Sequence, residues 1–233
     1  MPSVEIIIVA AGSGLRYGAP LPKQFCELAG RPVVMHTVDR LRHIMPDANI
    51  TLVISRDMSD LWSDLCSKHS FASPEIAFGG ATRWESVRNA IAAGSPEADI
   101  IMVHDAVRPL VTSEMIDSIK QAMSDSDVDG AIPAVPVTDS LRVVGADGSS
   151  VSIDRSPMRA VQTPQAFKAM LLRKAYSMPY QDSFTDDASV MESAGFGNLK
   201  LTKGSPSNIK ITNPGDIAVA ELLMKQNELS SQL

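Results

Sequence analysis

Short, nearly uninterrupted apolar runs alternate along this chain with stretches whose apolar residues recur at helical spacing, and that alternation leaves few folds open. Residues 5–10 read EIIIVA and residues 99–103 read DIIMV. Runs of this kind suit strands buried on both faces, as in a parallel sheet covered by helices. Residues 49–55 (NITLVIS), 75–78 and 130–135 continue the series. Between them, Val34, Met35, Val38 and Leu41 follow Pro32, which suits a first helical turn. Leu61, Trp62 and Leu65, then Val87, Ala90 and Ile91, then Met115, Ile116, Ile119 and Met123 mark three further helical stripes. Such alternation implies right-handed crossovers and an α/β fold: a doubly wound, mostly parallel sheet with helices on both faces. At 233 residues, with 44% apolar and 21% charged residues, the chain is long enough for one domain over residues 1–233 with a full core.

The regularity breaks after Val135. Residues 140–144 and 151–154 read as two strands around Gly145-Ala146-Asp147-Gly148, and Asp-Gly is a strong hairpin signal. This stretch is thin and polar, so residues 138–158 are expected to project from the domain as a β-hairpin arm. Helical periodicity returns over residues 169–176 and 186–194, residues 208–212 (NIKIT) read as a late strand, and residues 214–224 as a closing helix. The tail beyond Gln226 is polar and is expected to fray.

A net charge of −6 and a pI near 5.2 argue against a nucleic-acid binder, which needs a basic face. There is no basic leader at the N-terminus and no apolar run of membrane-spanning length, so a cytoplasmic protein is expected. Cys26 and Cys66 stand far apart without metal-site spacing and are expected to be buried, unbridged thiols of a reducing compartment.

Chemistry enters directly after the first strand, at Ala10-Ala11-Gly12-Ser13-Gly14-Leu15-Arg16-Tyr17-Gly18. A glycine-rich loop at the carboxyl end of strand one lies where open α/β sheets bind ligands, and its N–H groups can cradle phosphates. Its spacing is one residue too long for a dinucleotide fingerprint, Pro20 and Pro22 stand where that helix would run, and the next strand ends in Ser55-Arg56 rather than an acidic residue. A P-loop would need Lys after Gly18, where Ala19 stands. A plain turn needs neither so many glycines nor cations. The loop runs on to Pro22-Lys23-Gln24-Phe25, so Arg16 and Lys23 flank a glycine-rich backbone. Chemistry at the α-phosphate of a nucleotide calls for that combination.

AAGSGLRYG followed by PLPKQF resembles the N-terminal signature of the sugar-phosphate cytidylyltransferases. Further motifs stand in the order of the 2-C-methyl-D-erythritol 4-phosphate cytidylyltransferase family of the non-mevalonate isoprenoid pathway. They are Gly79-Gly80 with Arg83 and Ser86, His104-Asp105-Ala106-Val107-Arg108-Pro109, Asp139-Ser140, Asp154-Arg155, VQTPQAF over residues 161–167, Thr185-Asp186-Asp187-Ala188-Ser189 and Asn208-Ile209-Lys210. The resemblance implies a Rossmann-like nucleotidyltransferase sheet that uses CTP and a small polyol phosphate. By that resemblance Arg16 and Lys23 stabilise charge on the α-phosphate, while Lys210 and Arg155 hold the acceptor phosphate. It likewise assigns Asp105, Arg108 and Thr185 to the acceptor pocket and Ser86 with Gly80 to the pyrimidine site. The backbone of Ala10, Ala11, Gly12, Ser13 and Gly14, together with Ala106, Ser140 and Thr163, completes the binding set. The resemblance also implies a homodimer whose arm carries Arg155 to the neighbouring site. Two positions depart from the family pattern: Ala81 where an acidic residue is frequent, and Ser140 where Thr is usual.

Each residue has a plainer reading. Arg16 and Lys23 can be solvated loop cations, alternation can point Lys210 at solvent, Asp105 can cap a turn, and Arg155 can pair with Asp154 or Asp139. His104 suits a structural role better than a general base. Asp186-Asp187 reads as well as the acidic first turn of a helix as it does a metal site. No protein-ligated metal is expected, and Mg2+ would be held mainly by the triphosphate. Other functions remain open at this stage: a D-ribitol 5-phosphate cytidylyltransferase, a non-catalytic nucleotide-binding protein, and an NAD-dependent oxidoreductase, which the loop spacing disfavours.

Overall fold

The structure, a computed structural model, describes residues 2–12 and 21–230. In chain order its elements are β1 (Val4–Val9), β2 (Glu27–Leu28), β3 (Arg31–Pro32), α1 (Val33–Ile44), β4 (Asn49–Ile54), α2 (Ser59–Lys68), β5 (Glu75–Phe78), α3 (Arg83–Ala93), β6 (Ile100–Asp105) and α4 (Ser113–Met123). There follow β7 (Gly130–Pro136), β8 (Leu141–Val144), β9 (Ser150–Ile153), β10 (Arg159–Val161), β11 (Gln165–Lys168), α5 (Ala169–Ala175), α6 (Asp187–Ser193), β12 (Leu199–Lys203) and α7 (Gly215–Ser230).

β1 has β4 parallel on one side and β6 parallel on the other, so Ile6, Ile7 and Ile8 are fully buried. Successive side chains of a strand point to opposite faces, and different helices cover the two faces here. Ile6 and Ile8 pack with Val34, Val38 and Leu41 of α1, Trp62 of α2 and Ile116 of α4. Ile7 packs with Val87 of α3, Leu172 of α5 and Met191 of α6. Burying each such side chain stabilises by about 1.5–3 kcal/mol. One strand therefore seeds both layers of the expected doubly wound sheet.

Among the described residues the main sheet has eight strands, in the order β10-β7-β11-β6-β1-β4-β5 with β12 also paired to β7. β5, β4, β1 and β6 run parallel, as do β12 and β7. β11 enters antiparallel between β6 and β7, and β10 runs antiparallel along the far end of β7. The chain steps from one ladder to the other at Gln162-Thr163-Pro164, which sets Thr163 against the end of β6.

Several local expectations need correction. Residues 208–212 form no strand, because side chains bind the backbone there instead of a ladder. Asn208 O accepts from Arg108 Nη1 at 2.8 Å, while Asp216 accepts the N–H groups of Thr212 and Asn213 at 2.7 and 2.8 Å. β12, unread in the sequence, supplies the late strand. Pro32 is the N-cap of α1 rather than its first helical residue, and α7 runs past Gln226 to Ser230. Cys26 and Cys66 are not disulfide-bonded but are half-buried, not buried. Among the described residues β8 and β9 pair only with each other, leaving Val143, Val144 and Val151 52%, 68% and 64% exposed. No helix among the described residues is long and apolar enough to cross a membrane.

Candidate active site

β4 lies on one side of β1 and β6 on the other, so the strand order reverses between β1 and β6. In open α/β sheets the crevice outside the carboxyl ends at such a point takes ligands. Here the loop from Ala10 leaves β1, Asp105 ends β6, and Gly79-Gly80 leaves β5. The Ala10 N–H donates to Val53 O at 2.8 Å and the Gly79 N–H to Ile54 O at 2.9 Å, so both loops spring from fixed points.

The two loops approach closely. A Cβ on Gly79 would lie 2.4 Å from that of Ala11 and 2.8 Å from Ser86 Oγ, so glycine is required for contact. Ser86 is buried, and its Oγ accepts from the Gly80 N–H at 3.2 Å and donates to Thr82 O at 2.9 Å. α3 begins with a reciprocal cap between Thr82 and Glu85, which orients both Arg83 and Ser86. Ala11, Gly79, Gly80 and Ser86 thus share one wall of the crevice. Half-buried Lys23 sits in the 3-10 turn Lys23–Phe25. Its charge reaches α7: the Asp216 carboxyl is held below its usual range by the Asn213 and Thr212 N–H groups, with Lys23 adding to the effect. Ser13, Gly14 and Arg16 lie outside the described residues.

Asp105 gathers a second group. Its Oδ2 lies 2.9 Å from Lys210 Nζ and 3.4 Å from Arg108 Nε, and its Oδ1 lies 3.9 Å from Arg83 Nε. Burial opposes ionisation, yet Lys210, Arg83 and Arg108 together hold this carboxyl well below the usual carboxylate range. Lys210 does not simply point to solvent, although its side chain is 43% exposed. Ala106 is fully buried; its N–H donates to Val9 O and its carbonyl accepts from Thr37.

Beneath Asp105 runs a buried relay. The Asp105 N–H donates to Thr163 Oγ1, which lies 3.0 Å from His104 Nδ1, and His104 Nε2 lies 3.0 Å from Arg108 O. A carbonyl can only accept, so the proton of the neutral ring sits on Nε2 and Thr163 donates to Nδ1. His104 is fully buried, and burial pushes its pKa down to about 4. It positions Asp105 and Arg108 and touches no solvent. Asn208 Nδ2 adds a 2.9 Å bond to Thr163 O.

Between pH 6.5 and about 4 the unfolded chain protonates His104 while the folded chain does not, so stability falls with falling pH by about 1.4 kcal/mol per unit across that window. Half-buried His36 adds a smaller effect of the same sign, and Asp105 acts at lower pH. Denaturant titrations of parent and His104→Gln from pH 7 to 4 should show a shallower slope in the variant; equal slopes would remove His104 from the linkage.

The sequence reading overlooked the role of Arg83. Its Nη1 and Nη2 clasp Asp187 at 3.1 and 2.7 Å, and Tyr176 Oη donates to the same carboxylate at 2.5 Å. Asp187 is fully buried, while Asp186 caps α6 by accepting the Ser189 N–H at 2.9 Å. Arg83 therefore ties the Asp105 cluster to α6. The T-x-x-E pattern at residues 82–85 announces the cap but not the partner 104 residues away. Thr185 is exposed and, with Arg83 and Asp186, lines a cavity of about 90 Å³. Ser140 and Arg155 are exposed at the base of the β8–β9 hairpin, where Arg155 Nη1 donates to Thr138 O. Among the described residues no group of three His, Cys, Asp or Glu side chains converges to hold a metal.

A loop leaving β1 beside a carboxylate ringed by cations, at the switch point of a doubly wound sheet, marks an α/β nucleotidyltransferase. The family model described as 2-C-methyl-D-erythritol 4-phosphate cytidylyltransferase matches residues 4–226, and the chain belongs to that family. It is 44% identical to the 2-C-methyl-D-erythritol 4-phosphate cytidylyltransferase of Porphyromonas gingivalis, over 94% of this chain and 96% of the relative. The Bacteroides thetaiotaomicron protein of the same name is 40% identical over 94% of this chain and 99% of its own length. Among solved structures, 4-diphosphocytidyl-2C-methyl-D-erythritol synthase from Anaerococcus prevotii superposes with a TM-score of 0.78 at 28% identity, covering 96% of this chain and 99% of that one.

Proposed function

We propose that this chain transfers the cytidylyl group of CTP to 2-C-methyl-D-erythritol 4-phosphate, giving 4-diphosphocytidyl-2-C-methyl-D-erythritol and pyrophosphate. The observation that carries the reading is Asp105 held among Lys210, Arg108 and Arg83 at the end of β6, in register with Val9, where the loop from Ala10 leaves β1. The family names support the choice of substrates over the ribitol phosphate alternative.

An acceptor phosphate monoester has a second pKa of about 6 and is mostly dianionic at neutral pH. One of its oxygens attacks the α-phosphorus of CTP, the bond to the bridging oxygen breaks, and pyrophosphate leaves with that electron pair. No general base is required, in keeping with His104 being sealed in the core. Arg16 and Lys23 take the charge that grows on the α-phosphate, while Lys210 and Arg155 hold the acceptor phosphate against it. Asp105, kept ionised by its cations, accepts hydrogen bonds from the polyol hydroxyls, and Arg108 and Thr185 complete the acceptor pocket. Gly80, Ser86 and the Ala10–Gly14 backbone seat the nucleotide. Mg2+ bound with CTP would be held mainly by the triphosphate and would neutralise part of its charge, leaving the rest to Arg16 and Lys23. We place this reaction in the cytoplasm.

The hairpin belongs to the same proposal. Val143, Val144 and Val151 are exposed on a two-stranded sheet that no further strand among the described residues extends, and an isolated hairpin is marginal in water. Packing residues 138–158 against a second copy covers these valines and carries Arg155 to the partner's site.

Pyrophosphate release should require CTP, a divalent cation and the methylerythritol phosphate together. Faster turnover of D-ribitol 5-phosphate would reassign the acceptor, and no turnover of either would end the catalytic reading. For the dimer, Arg155→Ala and Lys23→Ala proteins, each nearly inactive, should regain activity when mixed after subunit exchange is confirmed. One of the two sites in such a dimer is whole. A fully active monomer by sedimentation, or no recovery in confirmed mixed dimers, would leave Arg155 acting within its own chain.

A further inference from the structure

Gln24 follows Lys23 directly, yet unlike Lys23 it is buried, with 3% of its surface exposed. Its Nε2 donates to Ala10 O at 2.6 Å and to Gly12 O at 2.9 Å. Both partners are carbonyls and can only accept, so the amide nitrogen must face them and both its hydrogens are used. The residue is itself fixed. It sits in the turn closed by the Phe25 N–H on Pro22 O at 2.8 Å and the Cys26 N–H on Lys23 O at 3.2 Å. One side chain thus ties the start of the glycine-rich loop to the turn that carries Lys23.

The bond has a consequence for the backbone. In a trans peptide the C=O and N–H point in opposite directions. Holding Ala10 O against Gln24 therefore turns the Ala11 N–H to the other side. Ala11 is also the residue whose Cβ crowds Gly79 and so sets the wall shared with Ser86.

We propose that Gln24 is a positioning residue for the nucleotide: it latches the two ends of the loop between β1 and Lys23, setting Lys23 relative to the Ala10–Gly12 backbone. It touches no reacting atom. The inference rests on the assignment of this loop and Lys23 to CTP. Leucine keeps the size of Gln24 and removes both donors. Glutamate keeps the shape but, when ionised, sets a carboxylate with no hydrogen against two carbonyl oxygens.

The test is steady-state kinetics with each substrate varied in turn. For Gln24→Leu, kcat/KM for CTP should fall about tenfold to a hundredfold, as misplacement by a fraction of an ångström to one ångström does, while acceptor KM at saturating CTP stays within about twofold. CTP constants within about twofold of the parent, or an equal loss for both substrates, would overturn the latch and make Gln24 a packing residue. Should Gln24→Leu not fold, Gln24→Glu reads the same question by pH. Burial beside two carbonyls raises the pKa of the new carboxyl, and protonation restores one donor. Its kcat/KM for CTP relative to the parent should therefore rise as pH is lowered from 8 to 6, and a flat ratio overturns the proposal. Lys23→Ala in the same assay separates the two levels. If it is as active as the parent, the reading of the loop itself falls; if it is crippled while Gln24→Leu is normal, only the latch falls.

Discussion

Replacing Lys23 with alanine is expected to lower kcat by about a hundredfold to a thousandfold, equivalent to about 2.7–4 kcal/mol of barrier, while CTP binds almost as well as to the parent. The reason is where its charge is needed. Ground-state CTP already carries its cation, whereas the α-phosphate gains negative charge only as the acceptor oxygen closes on it, so the loss falls on the transition state. Lys23 lies in a short surface turn, half-buried, outside the packed strands and helices. The fold should survive its removal, and circular dichroism with a denaturation curve would show this. Arg16 should behave alike. A rise in KM for CTP with kcat unchanged would make Lys23 a uniform binder of triphosphate, and a folded variant as active as the parent would remove it from the mechanism.

The next largest effect concerns stability. Arg83→Met should destabilise the fold by about 3 kcal/mol, the lower end of the range for breaking a buried ion pair, because a third of the Arg83 side chain is open to water. Asp187 is fully buried, and losing the two guanidinium bonds leaves Tyr176 Oη against an unneutralised carboxylate. Burial already raises the Tyr176 pKa well above its ordinary value, with Asp187 adding to it, so the phenol cannot take up the charge. Adding Asp187→Asn removes the stranded charge while keeping an acceptor for Tyr176. The double variant should therefore be more stable than the sum of the single changes by about 1–3 kcal/mol in urea unfolding. Strict additivity would show that the pair contributes little and that Arg83 serves through Asp105 alone.

The parallel core could be read from residues because its cause is local. EIIIVA has no polar face to offer solvent, so it must be a strand covered on both sides, and β1 is that strand with Ile7 facing one layer and Ile6 and Ile8 the other. The helical stripes at Val34, Val38 and Leu41 and at Ile116 and Ile119 are legible for the same reason. β11 is different. Gln165–Lys168 is too short to show a period, and it is a strand because β6 and β7 leave a gap whose hydrogen-bonding edges it fills. Residues 208–212 err the other way, alternating like a strand while Arg108 and Asp216 take backbone groups a ladder would have used.

The site divides along the same line. Asp105 and Arg108 stand three residues apart, and their pairing follows from one turn of chain. Arg16 and Lys23 beside a glycine-rich loop point to phosphate chemistry by residue type and place in the chain, whereas Ser86 and Lys210 stand out only through the resemblance to the family. Nothing local says that Lys210 reaches Asp105, that Arg83 clasps Asp187, that Gln24 holds Ala10 and Gly12, or that His104 is sealed away from substrate. Side-chain type and spacing state which hydrogen bonds and charges a segment must satisfy. Which partner satisfies them depends on what packing carries within about 3 Å, across 104 residues for Arg83 and Asp187, and only the closed fold sets that distance.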